Sequence, residues 1–275
     1  MLKKGNTKIK TLFYSIGLLL LCMSCGEVPI IEPAQEVESF YENFEGKNTS
    51  QFHLLVNDSL KNLSYPSFLP NNINTALKNT LNPDDFLNNG YRTELAMYNC
   101  AKYKTVVAYS FSFMIDSNYA DYDFNLICQW QDLPYYNQGE AWEPYPPLRT
   151  ASPPLALVYA DSVLDIKMNN DPNSNKKTFK VGDSYKVIKG VWYEFSAHVY
   201  WDDTDEAYIE IKINGNYMTP FNGTDYKFYN KNLYNRAGNY FKFGQYRGKN
   251  KPEVATVVYF DNISIQSIYP YVSKP

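Results

Sequence analysis

The sequence predicts an all-β protein: two antiparallel sheets packed face to face as a jelly-roll sandwich. Three observations lead there. Beyond about residue 90, apolar and polar residues alternate in short runs, the period of a strand with one buried face. Clusters of Asn, Asp, Gly and Pro punctuate those runs, as turn chemistry requires. No stretch sustains the 3.6-residue period of a long helix.

In chain order, strands are expected over Arg92–Tyr98, Thr105–Ile115, Phe124–Gln131, Leu155–Tyr159, Val163–Met168, Trp192–Trp201, Ala207–Ile213, Tyr240–Tyr246 and Thr256–Ile265. Each is rich in β-branched or aromatic residues, which fit a pleated, half-buried surface. Turns are expected at Asn89-Gly90, at residues 170–173, at Asp202-Asp203 and at Asn214-Gly215-Asn216, the last closing a hairpin. Ile73–Leu81 reads as one short helix. Residues 132–154 crowd prolines and aromatics together with Trp142 and Arg149. A loop that long in a compact domain is expected to be functional, here a wall or lid over a groove.

The N-terminus has its own logic. Lys3, Lys4, Lys8 and Lys10 precede an apolar run, Leu12 to Leu21, that ends in Ser24-Cys25. The run is too short for a permanent bilayer span and reads as a secretory signal. The junction resembles a bacterial lipoprotein cleavage site, so residues 1–24 are expected to be a signal peptide. Cys25 would become the lipidated first residue of an exported protein held at the cell envelope, its lipid the sole link to membrane. Residues 25–39 then form a tether, and residues 40–275 one domain, expected to be monomeric. Of the other cysteines, Cys100 and Cys128 show no Cys-x-x-Cys spacing, and two buried thiols are expected, with a disulfide between them, which export would permit, as the alternative.

A net charge of −3 implies no broad basic surface for nucleic acid. The 26 tyrosines, with abundant asparagine, suit a sugar-binding β protein, because rings stack on pyranose faces and amides bond hydroxyls. The pattern of Asn239–Gly248, N-Y-F-K-F-G-Q-Y-R-G, is the most pointed. Phe241 and Phe243 share one face of a strand, and Tyr240, Lys242, Gly244 and Tyr246 share the other. Lys242 and Tyr246 would lie roughly 13 Å apart along it.

Three segments now belong together: Y-R-T-E-L at Tyr91–Leu95, C-Q-W-Q at Cys128–Gln131, and Y-F-K-F-G-Q-Y at Tyr240–Tyr246. In this order they resemble the signature strands of the jelly-roll polysaccharide lyases, the alginate, heparin and glucuronan lyases of concanavalin A-like fold. Weaker matches at Phe40–Gly46, Ser152–Leu157, Gly190–Phe195, His198–Trp201 and Val258–Ile263 extend the likeness over nearly the whole domain. The resemblance implies a concave groove that binds an acidic polysaccharide and cleaves it beside a uronic acid by β-elimination, with no cofactor required. It implies that Arg92 and Gln129 neutralise the uronate carboxylate and that Tyr246 is the general acid and a candidate base. Lys242, Tyr240, Glu94, Arg247, Trp142 and Arg149 would bind neighbouring sugars, with Gly244 leaving room for a ring.

One departure bears on the chemistry. The family pattern commonly ends the middle strand in a histidine, and Gln131 stands there instead. Glutamine cannot take a proton at neutral pH. Tyr246 could then act as both base and acid if Arg92 or Arg247 lowers its pKa, or another residue substitutes. The two histidines available are His53, near the groove's end, and His198, which reads as structural. A non-catalytic glycan-binding lipoprotein on the same fold is the alternative reading. Asp261 with Glu45 or Glu42 could hold a structural calcium ion from both chain ends.

Overall fold

The computed structural model describes residues 37, 39–68, 74–140, 152–171, 178–218 and 226–270. Contacts divide the chain into Met1–Pro33 and Ala34–Pro275, and every described residue belongs to the second unit. The expected signal peptide, Cys25, the tether up to residue 36, Trp142 and Arg149 lie outside the described residues.

In chain order the strands are β1 (Phe40–Glu42), β2 (His53–Leu55), β3 (Leu63–Ser64), β4 (Leu77–Leu81), β5 (Phe86–Leu87), β6 (Gly90–Ala101), β7 (Thr105–Ile115), β8 (Asn125–Asp132), β9 (Leu155–Ala160), β10 (Val163–Asn169), β11 (Thr178–Lys186), β12 (Trp192–Trp201), β13 (Tyr208–Ile213), β14 (Asn216–Tyr217), β15 (Lys227–Tyr229), β16 (Asn239–Tyr246) and β17 (Thr256–Pro270). They form two antiparallel sheets. Sheet A runs β14-β13-β12-β7-β17-β4-β3, with β1 on β17 and β15 on β13; sheet B runs β11-β10-β9-β8-β16-β6-β2, with β5 on β6. Strands distant in sequence lie side by side, as a jelly roll demands.

All nine expected strands are present. The helix expected over Ile73–Leu81 is not: its described C-terminal half, Leu77–Leu81, is β4, with Leu77, Asn79 and Leu81 buried at alternate positions. A two-residue period with β17 beside it wins over a short apolar run read as a helical face. One helical turn occurs instead at Ser59–Asn62, where the Asp58 carboxylate accepts the Leu60 N–H at 3.0 Å. The Asn214-Gly215 hairpin forms as expected, joining β13 to β14. The turn expected at Asn89-Gly90 falls one residue early: Asn88 and Asn89, at φ 48° and 63°, connect β5 to β6. Paired left-handed residues define the type I′ turn that matches strand twist.

Between the sheets lies a core rich in aromatics. Phe111, Phe195, Trp130, Phe241 and Phe243 are each 2% exposed or less, and burying a Phe side chain contributes about 1.5–3 kcal/mol. Cys100 and Cys128 are buried free thiols, and burial pushes Cys100 up to about 12. Gln245 also points inward. Its amide donates to the Asn79 and Thr256 carbonyls, both at 3.1 Å, and accepts from the Thr256 hydroxyl at 2.7 Å. It thereby ties β16 in sheet B to β4 and β17 in sheet A.

Candidate active site

The inward Phe241, Phe243 and Gln245 fix where the rest of β16 must point. Tyr240, Lys242, Gly244 and Tyr246 take the outer face of sheet B. β6 and β8 flank β16, and the register sets Arg92 opposite Tyr246, Glu94 opposite Gly244, and Gln129 opposite Lys242. The three signature segments are therefore adjacent strands of one sheet.

Glu94 is the hub. Its carboxylate accepts from Arg92 Nη1 at 3.3 Å and from Gln129 Nε2 at 2.5 Å, and Lys242 Nζ lies 3.6 Å away. The group is desolvated: Glu94 and Gln129 are 2% exposed, Lys242 4% and Arg92 9%. Arg92 is also held by the Asn88 carbonyl at 3.1 Å, and its guanidinium lies 4.3 Å above the Tyr246 ring. Two cations meet one carboxylate here, so the group carries a net positive charge suited to an incoming anion. Burial, reinforced by Arg92, lowers the Lys242 pKa, while Glu94 opposes the shift.

The lowered pKa that a base role for Tyr246 requires is not what its surroundings give. Burial raises its phenol pKa, and Arg92 offsets this incompletely. The resting residue thus holds its proton. Its ring packs with Leu126, Ala156 and Val158 and lies against Gly90, where an added Cβ would come within 2.6 Å of Tyr246 Cε2. Sequence reading missed Gly90, although a glycine two residues before Arg92 on the same face was the available signal.

Other residues fall as follows. Lys242, expected to bind a neighbouring sugar, is 4% exposed, with its ammonium 3.6 Å from Glu94. Gly244 is fixed by the backbone itself. At φ 131° its Cβ would lie 2.2 Å from the Thr93 carbonyl oxygen, so the glycine serves a bulge where the β16–β8 register shifts. The Arg247 guanidinium lies 3.3 Å from the Tyr122 ring centroid, and the residue is 3% exposed. Gln131 pairs with Tyr240, whose ring stacks on Tyr98 at 5.0 Å. His53 lies against Tyr98 at 5.9 Å and pairs with Ala96 in the row that contains Lys242 and Gln129. His198 belongs to sheet A, 3.5 Å from Glu210.

The calcium candidates lie on sheet A. Asp261 is pushed up to about 6, first by burial and then by the charges of Glu45 and Glu42. Yet Glu42 accepts from the Phe44 N–H and from Gln51, and Glu45 from the Thr75 N–H. Among the described residues no group of three or more His, Cys, Asp or Glu is arranged to hold a metal ion.

A search of curated proteins found no match. Among solved structures, an endo-β-1,4-glucuronan lyase from the fungus Trichoderma reesei shares the fold at a TM-score of 0.61 and 14% identity, over 82% of this chain and 94% of that one. The cellulose-induced protein Cip1 matches at 0.52 and 15% identity, over 82% and 96%. A family 7 alginate lyase, A1-II′, in complex with substrate, matches at 0.51 and 15% identity, over 82% and 85%. At such identities the likeness is one of fold. Residues 44–264 match the family described as polysaccharide lyase, and with four-fifths of its length matched, the chain belongs to that family and is a polysaccharide lyase.

Proposed function

We propose that the enzyme cleaves a uronic-acid-containing polysaccharide by β-elimination on the outer face of sheet B. The observation that carries this reading is the Glu94-centred group: Arg92, Gln129 and Lys242 converge on one buried carboxylate, with Tyr246 under the Arg92 guanidinium. The names of the glucuronan and alginate lyases of like fold accord with it.

The chemistry assigns the roles. The C5 proton of a uronate is weakly acidic because the neighbouring carboxylate is already anionic. Arg92 and Gln129, preorganised by Glu94, would donate hydrogen bonds to that carboxylate and stabilise the enolate-like charge that develops on proton loss. Lys242 would hold an acidic sugar in the adjoining subsite. A base must take the C5 proton, and His53, in the cross-strand row of Lys242 and Gln129, is the histidine that sheet B offers for it. The electron pair of the broken C5–H bond forms the C4–C5 double bond and expels O4, which takes up a proton of its own. Tyr246, holding its proton at rest, is suited to give it.

Tyr246→Phe tests the assignment. It keeps the ring, its packing and its contact with Arg92, and removes the transferable proton. Turnover on a polyuronate should fall by about 10²–10⁴-fold with substrate affinity nearly unchanged. Full activity in the variant would overturn the role. The pH profile separates the two duties: an acid-only Tyr246 predicts a rate that falls as pH approaches its raised pKa, whereas a tyrosinate base predicts one that climbs.

A further inference from the structure

The opposite side of the sandwich carries a second depression. On the outer face of sheet A, β12, β7 and β17 align Trp192, Met114 and Tyr259 in one cross-strand row. Two residues along each strand, Glu194, Ser112 and Asp261 form the next row on the same face. Ser112 is small and its flanking residues are not, so the row dips in the middle. The result is a cavity of about 450 Å³ lined by Ser112, Trp192, Glu194 and Asp261, with the amides of Asn74 and Asn214 at its rim. That volume is in the range of small-molecule sites, roughly 300–1,000 Å³.

Its walls have a definite chemistry. Trp192 supplies an aromatic ring to the lining, and the Phe68 ring packs near-perpendicular to it at 5.3 Å. Two strand spacings separate Glu194 from Asp261, about 10 Å between backbones. Asp261 is 4% exposed; one oxygen accepts the Asn262 N–H at 2.8 Å, and no second donor reaches it among the described residues. No lysine, arginine or histidine is among the described residues lining the cavity.

We propose that this cavity binds a neutral, hydroxyl-rich sugar unit of a polysaccharide. The flat face of an aromatic ring such as Trp192 suits the C–H face of a pyranose. Carboxylates accept strong hydrogen bonds from hydroxyls, and amides both donate and accept. The same two carboxylates repel a uronate, whereas the Glu94-centred group on sheet B carries excess positive charge. The two faces thus select opposite sugars: one anchors a neutral glycan while the other receives an acidic chain. The inference stands apart from the elimination chemistry and survives its failure.

The test is calorimetric titration of the intact protein with cellohexaose, mannohexaose, xylohexaose and an oligoglucuronate, the last against a Tyr246→Phe background so that it is not consumed. At least one neutral hexaose should bind. Trp192→Ala should weaken it about tenfold or more, and Ser112→Phe, which fills the floor, should abolish it. Both variants should keep the wild-type melting temperature and circular dichroism spectrum, which report correct folding independently of any elimination activity. Should either fail to fold, Glu194→Gln, an isosteric change at an exposed position, should still weaken the neutral sugar severalfold. The proposal is overturned if no neutral hexaose binds or if these variants bind it as well as wild type. It is equally overturned if oligoglucuronate affinity falls with them, or if a chelator abolishes binding, which would assign the carboxylates to a cation.

Discussion

Replacing Glu94 with glutamine removes one charge and almost no volume, and the structure fixes what should follow. Lys242 lies 3.6 Å and Arg92 3.3 Å from the same carboxylate, in surroundings where Glu94 is 2% and Lys242 4% exposed. At an effective dielectric of about 20, each contact corresponds to roughly 4–5 kcal/mol of Coulomb energy. That figure is not a net worth, because desolvation opposes it. Removing one partner, however, leaves the desolvation in place, and breaking a buried pair costs about 3–5 kcal/mol. Here it also leaves two cations facing each other. Lys242 has a way out, since it can shed its proton, and its pKa is already lowered.

The sign of the pH dependence follows. A lysine whose folded pKa lies below its unfolded value of 10.5 contributes most stability above 10.5 and loses it as pH falls through the folded pKa. Without Glu94 that folded pKa drops further, so the variant should gain stability as pH rises over a wider range than wild type. Urea unfolding followed by tryptophan fluorescence, at about pH 6 and about pH 9, measures it. Glu94→Gln should lose about 3–5 kcal/mol at the lower pH and less at the higher. A variant within about 0.5 kcal/mol of wild type at both would refute the claim that Glu94 holds the buried cations together.

Further predictions concern single groups. Gly90→Ala places a methyl 2.6 Å from Tyr246 Cε2 and 3.1 Å from the Gly248 carbonyl oxygen; overpacking of this kind costs about 1–3 kcal/mol, and displacement of the phenol should lower kcat more than it raises KM. Asp261, raised from 3.8 to about 6, penalises the folded state once ionised. Asp261→Asn should therefore raise the melting temperature above about pH 6 and leave it unchanged near pH 4, as scanning calorimetry across that window can check. Acylation at Cys25, expected from the sequence, predicts that Cys25→Ala releases the protein from the membrane fraction; unchanged fractionation would remove the lipid anchor.

Much of the fold was legible because strands announce themselves. The alternation in Phe241-Lys242-Phe243 dictates which residues meet the core, and its partner strands carry the same period, so the outer face of sheet B could be written down residue by residue. The short element at Leu77–Leu81 was not legible. Five residues satisfy a strand and a helical face almost equally, and the arbiter is Asn79, whose buried amide reaches the Thr93 carbonyl at 3.1 Å across the sandwich. The site divides in the same way. Membership of Arg92, Glu94, Gln129, Lys242 and Tyr246 follows from register, which motifs imply. Burial of Lys242, the tight fit of Gly244 against Thr93, the turn of Arg247 onto Tyr122 and the upward shift at Tyr246 all depend on three-dimensional neighbours that no one segment contains. The acidic cavity on sheet A drew no attention in sequence, because Trp192, Glu194, Ser112 and Asp261 come from three strands and form no motif.

Elimination at a uronate is followed by incubating the wild-type protein with glucuronan, alginate, heparin and a neutral glucan while recording the ultraviolet absorbance of the C4–C5 unsaturated product. The account predicts that absorbance rises with at least one acidic polymer and stays flat with the neutral glucan, and that new chain ends carry no oxygen from labelled water. An acidic polymer that is bound yet never yields the unsaturated product, or one cut with uptake of labelled oxygen, would contradict it.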